Sequence, residues 1–122
     1  MSVPHAKVIV NPAAGAYSTR RRWPSISRLL RQVDLSFEHV FTEGVGHAIE
    51  LARTAANEGY RYLVAVGGDG TVNEVANGIL NSMDASNTVL GIVGTGTGSD
   101  FNRSAGIPRD YASACSFLTS SR

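Results

Sequence analysis

Apolar and polar positions along the 122-residue chain switch repeatedly between two spacings. Residues 7–10 (KVIV), 63–66 (LVAV) and 89–93 (VLGIV) are short, nearly unbroken apolar runs. They suit strands buried on both faces and are too short for helices. Residues 36–42 (SFEHVFT) instead alternate, with Phe37, His39 and Phe41 set against Glu38 and Val40, and predict a fourth strand. Between these runs the apolar residues recur at helical spacing. Trp23, Ile26, Leu29, Leu30 and Val33 form one stripe, and Val45, Ile49, Ala52 and Ala56 a second. Val72, Val75, Ala76, Ile79 and Leu80 form a third, and Tyr111, Ala114, Phe117 and Leu118 a last one behind a capping Asp110. Ser18 or Thr19 caps the first helix, with Pro24 tolerable only in its first turn. The second helix runs over 46–57 and Gly59 ends it. Thr71 followed by Glu74 reads as a capping box for the third. Strands alternating with helices through short links predict an α/β fold: an open, mostly parallel sheet with helices on both faces, Rossmann-like.

That architecture says where a ligand belongs. In open parallel sheets it sits outside the carboxyl ends of the strands. Four segments lie there: Asn11 with its small-residue loop to Gly15, Thr42, the stretch 67–73 and the stretch 94–100. The stretch 67–70 packs Gly67, Gly68 and Gly70 around Asp69 between a strand and a helix. Such a turn offers unpaired N–H groups at the positive end of a helix and suits a phosphate. The plainer alternative is a tight turn whose glycines serve only left-handed backbone, but one glycine would suffice for that. A carboxylate beside a phosphate repels it unless a cation or a donating hydroxyl intervenes, so Asp69 points to magnesium and a nucleoside triphosphate. A second glycine-rich turn, 94–100 (GTGTGSD), again follows a strand and closes on an acid, Asp100. For 11–15 an ordinary Asn-Pro turn stays open beside the ligand-loop reading.

Composition narrows the class. Hydrophobic residues make up 43% and charged residues 17%, enough for one domain with one core. A net charge of +1 gives no strong field toward nucleic acid. The lone Cys115 excludes an internal disulfide and a cysteine metal cluster. There is no signal-peptide pattern and no apolar run of membrane-span length, so a cytoplasmic protein is expected. Arg20, Arg21 and Arg22 read as a solvated helix start, and His39 as an ordinary strand side chain. A P-loop needs a lysine after its glycines, and the sole lysine is Lys7, at the start of a strand. Gly94, Gly96 and Gly98 have the wrong spacing for a dinucleotide fingerprint.

Three motifs carry a resemblance: NPAAG at 11–15, VGGDGTVNEVANGI at 66–79 and GTGSDFNRSAGIP at 96–108. They resemble the diacylglycerol kinase catalytic-domain family over the whole chain. Bacterial lipid kinases, sphingosine kinases and ceramide kinases belong to it, and NAD kinases are distant relatives. The resemblance implies that residues 1–122 are the ATP-binding α/β domain of a two-domain lipid kinase. A β-sandwich domain absent from these residues would complete the lipid site and supply the base. It implies ATP contacts at Thr42, Gly67, Gly68, Asp69, Gly70, Thr71, Val72, Asn73, Gly96 and Thr97, with Asn11 bordering the site. Asp69 would sit by the phosphates and magnesium, and Asp100 would face the reacting centre. The implied activity moves the γ-phosphoryl of ATP to a lipid alcohol. Alternatives are an NAD kinase-like phosphotransferase or a non-catalytic nucleotide-binding domain. Peripheral membrane contact is expected through the absent domain, no nucleic acid is expected, a homo-oligomer is left open, and the fragment alone is expected to turn over little. Gly94 and Thr95 stand where the family has Pro-Leu, and Ser99 where it has Asn.

Overall fold

The computed structural model describes residues 6–32, 36–83, 85 and 88–94. The apolar runs become strands β1 (Ala6–Val10), β2 (Phe37–Phe41), β3 (Tyr62–Gly67) and β4 (Val89–Gly94). Helices α1 (Ser18–Gln32), α2 (His47–Asn57) and α3 (Asp69–Leu80) connect or follow them. All pairings are parallel, in the order β2-β1-β3-β4. The predicted doubly covered sheet is therefore present. The helix expected after Asp110 and the turns at 95–100 and 106–108 lie outside the described residues.

Strand residues alternate faces, so the sheet builds two cores. Ala6, Val8, Val10, Val64, Val66 and Val93 pack under Trp23, Ile26 and Leu30 of α1. Ile9, Leu63 and Ala65 pack on the other face against Ala48, Ala52, Ala55, Val72, Val75 and Ile79 of α2 and α3. β1 and β3 are apolar at almost every position because both of their faces are covered. β2, at the edge, keeps the alternating pattern. Its Phe37, His39 and Phe41 surround Trp23, with ring centroids 6.3, 5.1 and 6.3 Å away.

Several local expectations are corrected. Pro24 lies in the interior of α1, not its first turn, because the helix starts at Ser18. It is solvent-exposed, so the Arg20 carbonyl that it deprives of a donor is on the wet side. Val45 precedes α2 and is fully exposed, and Leu80 is 71% exposed. The inner face of α2 is Ala48, Ala52, Ala55 and Ala56. The proposed Thr71–Glu74 capping box does not form: Gly68 is the N-cap, without a side-chain cap, and Thr71 is already the third helical residue. One extended residue suffices to turn β3 into α3, which moves the helix start back from where the cap pattern placed it.

On the α2 side of the sheet, Lys7, Glu38 and Tyr60 form a surface network. Tyr60 donates its hydroxyl to Glu38 Oε1 at 2.9 Å, and Lys7 Nζ lies 3.5 Å from the same oxygen. Acceptance from Tyr60, with Lys7 beside it, lowers the Glu38 carboxyl below its usual value near 4.5. Burial first, then the bond to Glu38, raises the Tyr60 phenol above 10.0. Glu38 therefore favours the fold above the ordinary carboxylate range, and that contribution fades as pH falls through its lowered value. Tyr60 favours it below pH 10.0 and fades as pH rises through its raised value. Glu38→Gln should bring tyrosinate formation, followed by ultraviolet absorbance, part of the way back toward pH 10.0. An unchanged titration would show that Glu38 has no share in the shift.

Candidate functional site

The chain enters at β1, moves to one side for β2, and returns across β1 for β3. α1 and α3 consequently leave neighbouring strands toward opposite faces of the sheet. This reversal opens a crevice beyond the strand ends, where doubly wound folds bind ligands. The ladder runs one residue past the strands and fixes the crevice floor: Asn11 N–H donates to Val66 O at 2.9 Å, and Thr42 N–H to Val10 O at 2.8 Å.

A cleft of about 600 Å³ occupies this position, within the ~300–1,000 Å³ usual for small-molecule sites. One wall is the loop after β1, Asn11 to Gly15 with Tyr17. A second is Thr42 to Val45 after β2. The third is Gly68, Gly70, Thr71 and Glu74 after β3. Asn11 ties the first wall to the third: its Nδ2 donates to Thr71 Oγ1 at 3.0 Å, and its Oδ1 accepts from Ala13 N–H at 3.1 Å. The second wall is tied in turn. Gly46 N–H donates to Glu74 Oε2 at 3.1 Å, and Glu43 N–H to His47 Nδ1 at 2.9 Å. Thr71 and Glu74 thus act as cross-links between loops.

The glycines of 67–70 can now be assigned one by one. None has positive φ, so the plain turn explanation fails. Gly67 is needed for packing: a Cβ there would stand 2.5 Å from Thr71 Oγ1 and 2.8 Å from its Cβ. Gly68 (φ −96°, ψ −165°) and Gly70 have backbone that any residue adopts. A Cβ on either would meet nothing within 4 Å. Neither fold nor packing demands these two glycines, and both line the cleft. The first bond inside α3 runs from Val72 N–H to Gly68 O at 3.1 Å. The N–H groups of Asp69, Gly70 and Thr71 precede it and have no helical acceptor. Among the described residues no lysine, arginine or histidine lines the cleft, and the donors that this lining offers an anion are main-chain N–H groups at a helix terminus.

The structure brings Asn11, Thr42, Gly68, Gly70 and Thr71 together on one cleft. Gly67 lies beneath Thr71, and Val72 points into the core with its N–H committed to Gly68. Asp69 and Asn73 are exposed beside the cleft and are not part of its lining. Gly96, Thr97 and Asp100 lie outside the described residues. Residues 43–45, Tyr17 and Glu74 join the cleft without having been foreseen. A glutamate one helical turn into α3 was the available signal, and it was absorbed by the capping pattern.

Comparison with known proteins places the family and the fold. The family model described as the diacylglycerol kinase catalytic domain matches residues 5–122. The chain is 37% identical over 109 residues to a diacylglycerol kinase of Staphylococcus aureus, covering 89% of this chain and 34% of that one. A diacylglycerol kinase of Staphylococcus saprophyticus matches at the same identity, with 35% of its length covered. A solved diacylglycerol kinase structure from Bacillus anthracis strain Sterne superposes with a TM-score of 0.79 at 27% identity. That match spans 98% of this chain and 40% of the other. The chain therefore spans about a third of the length of the curated relatives it matches.

Proposed function

Because the chain belongs to the diacylglycerol kinase catalytic-domain family, we propose that it is the nucleotide-binding domain of an ATP-dependent lipid kinase that moves the γ-phosphoryl of ATP to a diacylglycerol-type hydroxyl. The observation that carries this reading is the pair Gly68 and Gly70, bare on the cleft side for no reason internal to the fold. Phosphoryl transfer asks for in-line positioning and charge stabilisation more than for covalent help. In this reading the N–H groups at the start of α3 hold the phosphate chain. Asn11 and Glu74 keep the three walls in register around it.

Magnesium suits the donors present. It keeps several waters and is usually held by one or two carboxylates together with substrate phosphates. Asp69 at the first position of α3 is such a carboxylate, and among the described residues no group of three His, Cys, Asp or Glu forms a cage. When bound, magnesium would offset phosphate charge. Asp69 would orient it, and Asp100 would face the acceptor hydroxyl. The base is assigned to the second domain of the family. Among the described residues no helix is long and apolar enough to cross a membrane.

The test is γ-phosphoryl transfer to diacylglycerol in mixed micelles by a longer form that also carries the family's second domain, with NAD as a rival acceptor. Transfer to diacylglycerol is expected. Asp69→Ala should lower activity or magnesium affinity roughly 10- to 100-fold. Its melting temperature should barely move, because the side chain is exposed. Transfer to NAD alone, or nucleotide binding without any transfer, would replace this reading.

A further inference from the structure

Tyr17 takes no part in the phosphate grip, yet it lines the cleft and leaves 59% of its surface to solvent. Its backbone is unusual. Gly15, Ala16 and Tyr17 have φ of 63°, 55° and 69°, a left-handed turn in which two of the three residues carry a side chain. Bulky L-residues seldom occupy this region, and such strain persists only where the surroundings over-determine it. They do so here. Tyr17 N–H donates to Ala13 O at 3.1 Å and Arg21 N–H to Tyr17 O at 3.4 Å. Ser18 N–H donates to Gly15 O at 3.0 Å, and Thr19, wholly buried, donates its N–H to Ala14 O at 3.3 Å. The turn fixes an aromatic ring at the start of α1. That ring and the donors of Gly68 and Gly70 line the same cleft, the ring on the wall that follows β1 and the donors on the wall that follows β3.

An anion grip on one wall and a flat aromatic surface on the other describe a ligand with a phosphate chain at one end and a planar ring at the other. We infer that Tyr17 is the base-stacking residue of the nucleotide site. The inference rests on the nucleotide reading above and assigns the half of the ligand that reading leaves open. Stacking accepts any base face, so Tyr17 selects for the presence of a base and discriminates weakly among purines.

Tripolyphosphate, which lacks a base, isolates the contact. Calorimetric titration of the full chain with Mg·ATP and with Mg·tripolyphosphate is the measurement. Tyr17→Ala should weaken ATP binding about tenfold, the loss expected for one base–aromatic stack, and leave tripolyphosphate affinity unchanged. Tyr17→Phe should keep ATP affinity within about twofold, since the ring remains. Tyr17→Gly should lose the same tenfold and yet raise the melting temperature, because glycine accepts positive φ without strain. That pairing excludes misfolding as the cause. Unchanged ATP affinity in Tyr17→Ala and Tyr17→Gly would overturn the inference. So would equal losses for ATP and tripolyphosphate, or an effect confined to the KM of the lipid. A wild-type chain that binds neither probe would overturn the nucleotide reading itself.

Discussion

Gly70→Ala should stabilise this domain and cripple phosphoryl transfer in the same molecule. Gly70 is the second residue of α3, with helical backbone and open space where its Cβ would stand. Replacing a helical glycine by alanine reduces the freedom of the unfolded chain and is worth about 0.5–1 kcal/mol where the geometry permits. A rise of a few degrees in melting temperature is expected for a domain of this size. The same methyl would stand in the cleft beside the N–H groups left unpaired by α3. Alanine keeps its own N–H, but a methyl that holds the anion off these donors should cost on the order of what losing one of them does, roughly 10²–10³-fold in turnover. Thermal melts and transfer assays on one preparation of a form that also carries the second domain measure both effects. If the variant is more stable and fully active, the bare glycine has no bearing on the ligand, and the main-chain phosphate grip is refuted. A loss of both stability and activity would instead mean that Gly70 serves the fold.

Gly78→Val is expected to do the opposite and damage the fold first. Gly78 is buried where α3 crosses α2. A Cβ there would collide with the Ile49 carbonyl oxygen, approach Ala52 Cβ to 2.6 Å and Arg53 N to 3.0 Å. Two of these three neighbours are backbone atoms, which cannot rotate away. The close crossing exists because α2 presents Ala48, Ala52, Ala55 and Ala56 rather than larger residues. Overpacking usually costs about 1–3 kcal/mol, and more when backbone must move. Total stability is only ~5–15 kcal/mol, so the melting temperature should fall by about 10 °C or more. Separating α2 from α3 would also pull Gly46 away from Glu74 and loosen the second wall of the cleft. Circular dichroism melts decide the matter, and a variant melting within about 2 °C of wild type would mean that the crossing has slack.

Both predictions concern glycines of one short motif and its helix, yet nothing local distinguishes them. Gly67, Gly68, Gly70 and Gly78 read alike along the chain. The structure separates them into a contact with Thr71, two open positions on the cleft and a helix crossing. The same limit explains Thr71 and Glu74. Their spacing matches a capping box, but each bonds to a distant segment, 60 residues away at Asn11 and 28 at Gly46. Pattern rules weigh neighbours along the chain and have no access to such partners. Tyr17 escaped notice for a related reason: an aromatic residue just before a helix resembles any other until the fold places it on the cleft.

Among the described residues, what the amino-acid order determined alone is the succession of strands and helices, the burial of the sheet on both faces, and the collection of glycines and polar residues at the ends of β1, β2 and β3. Each follows from side-chain periodicity, since a residue's burial recurs every second position in a strand and at every third or fourth in a helix. Only the tertiary structure decided the order β2-β1-β3-β4, the reversal that opens the cleft, and the job of each glycine. Those depend on which surfaces meet after the chain has crossed over itself. Contacts made at that stage leave no period behind them in the sequence.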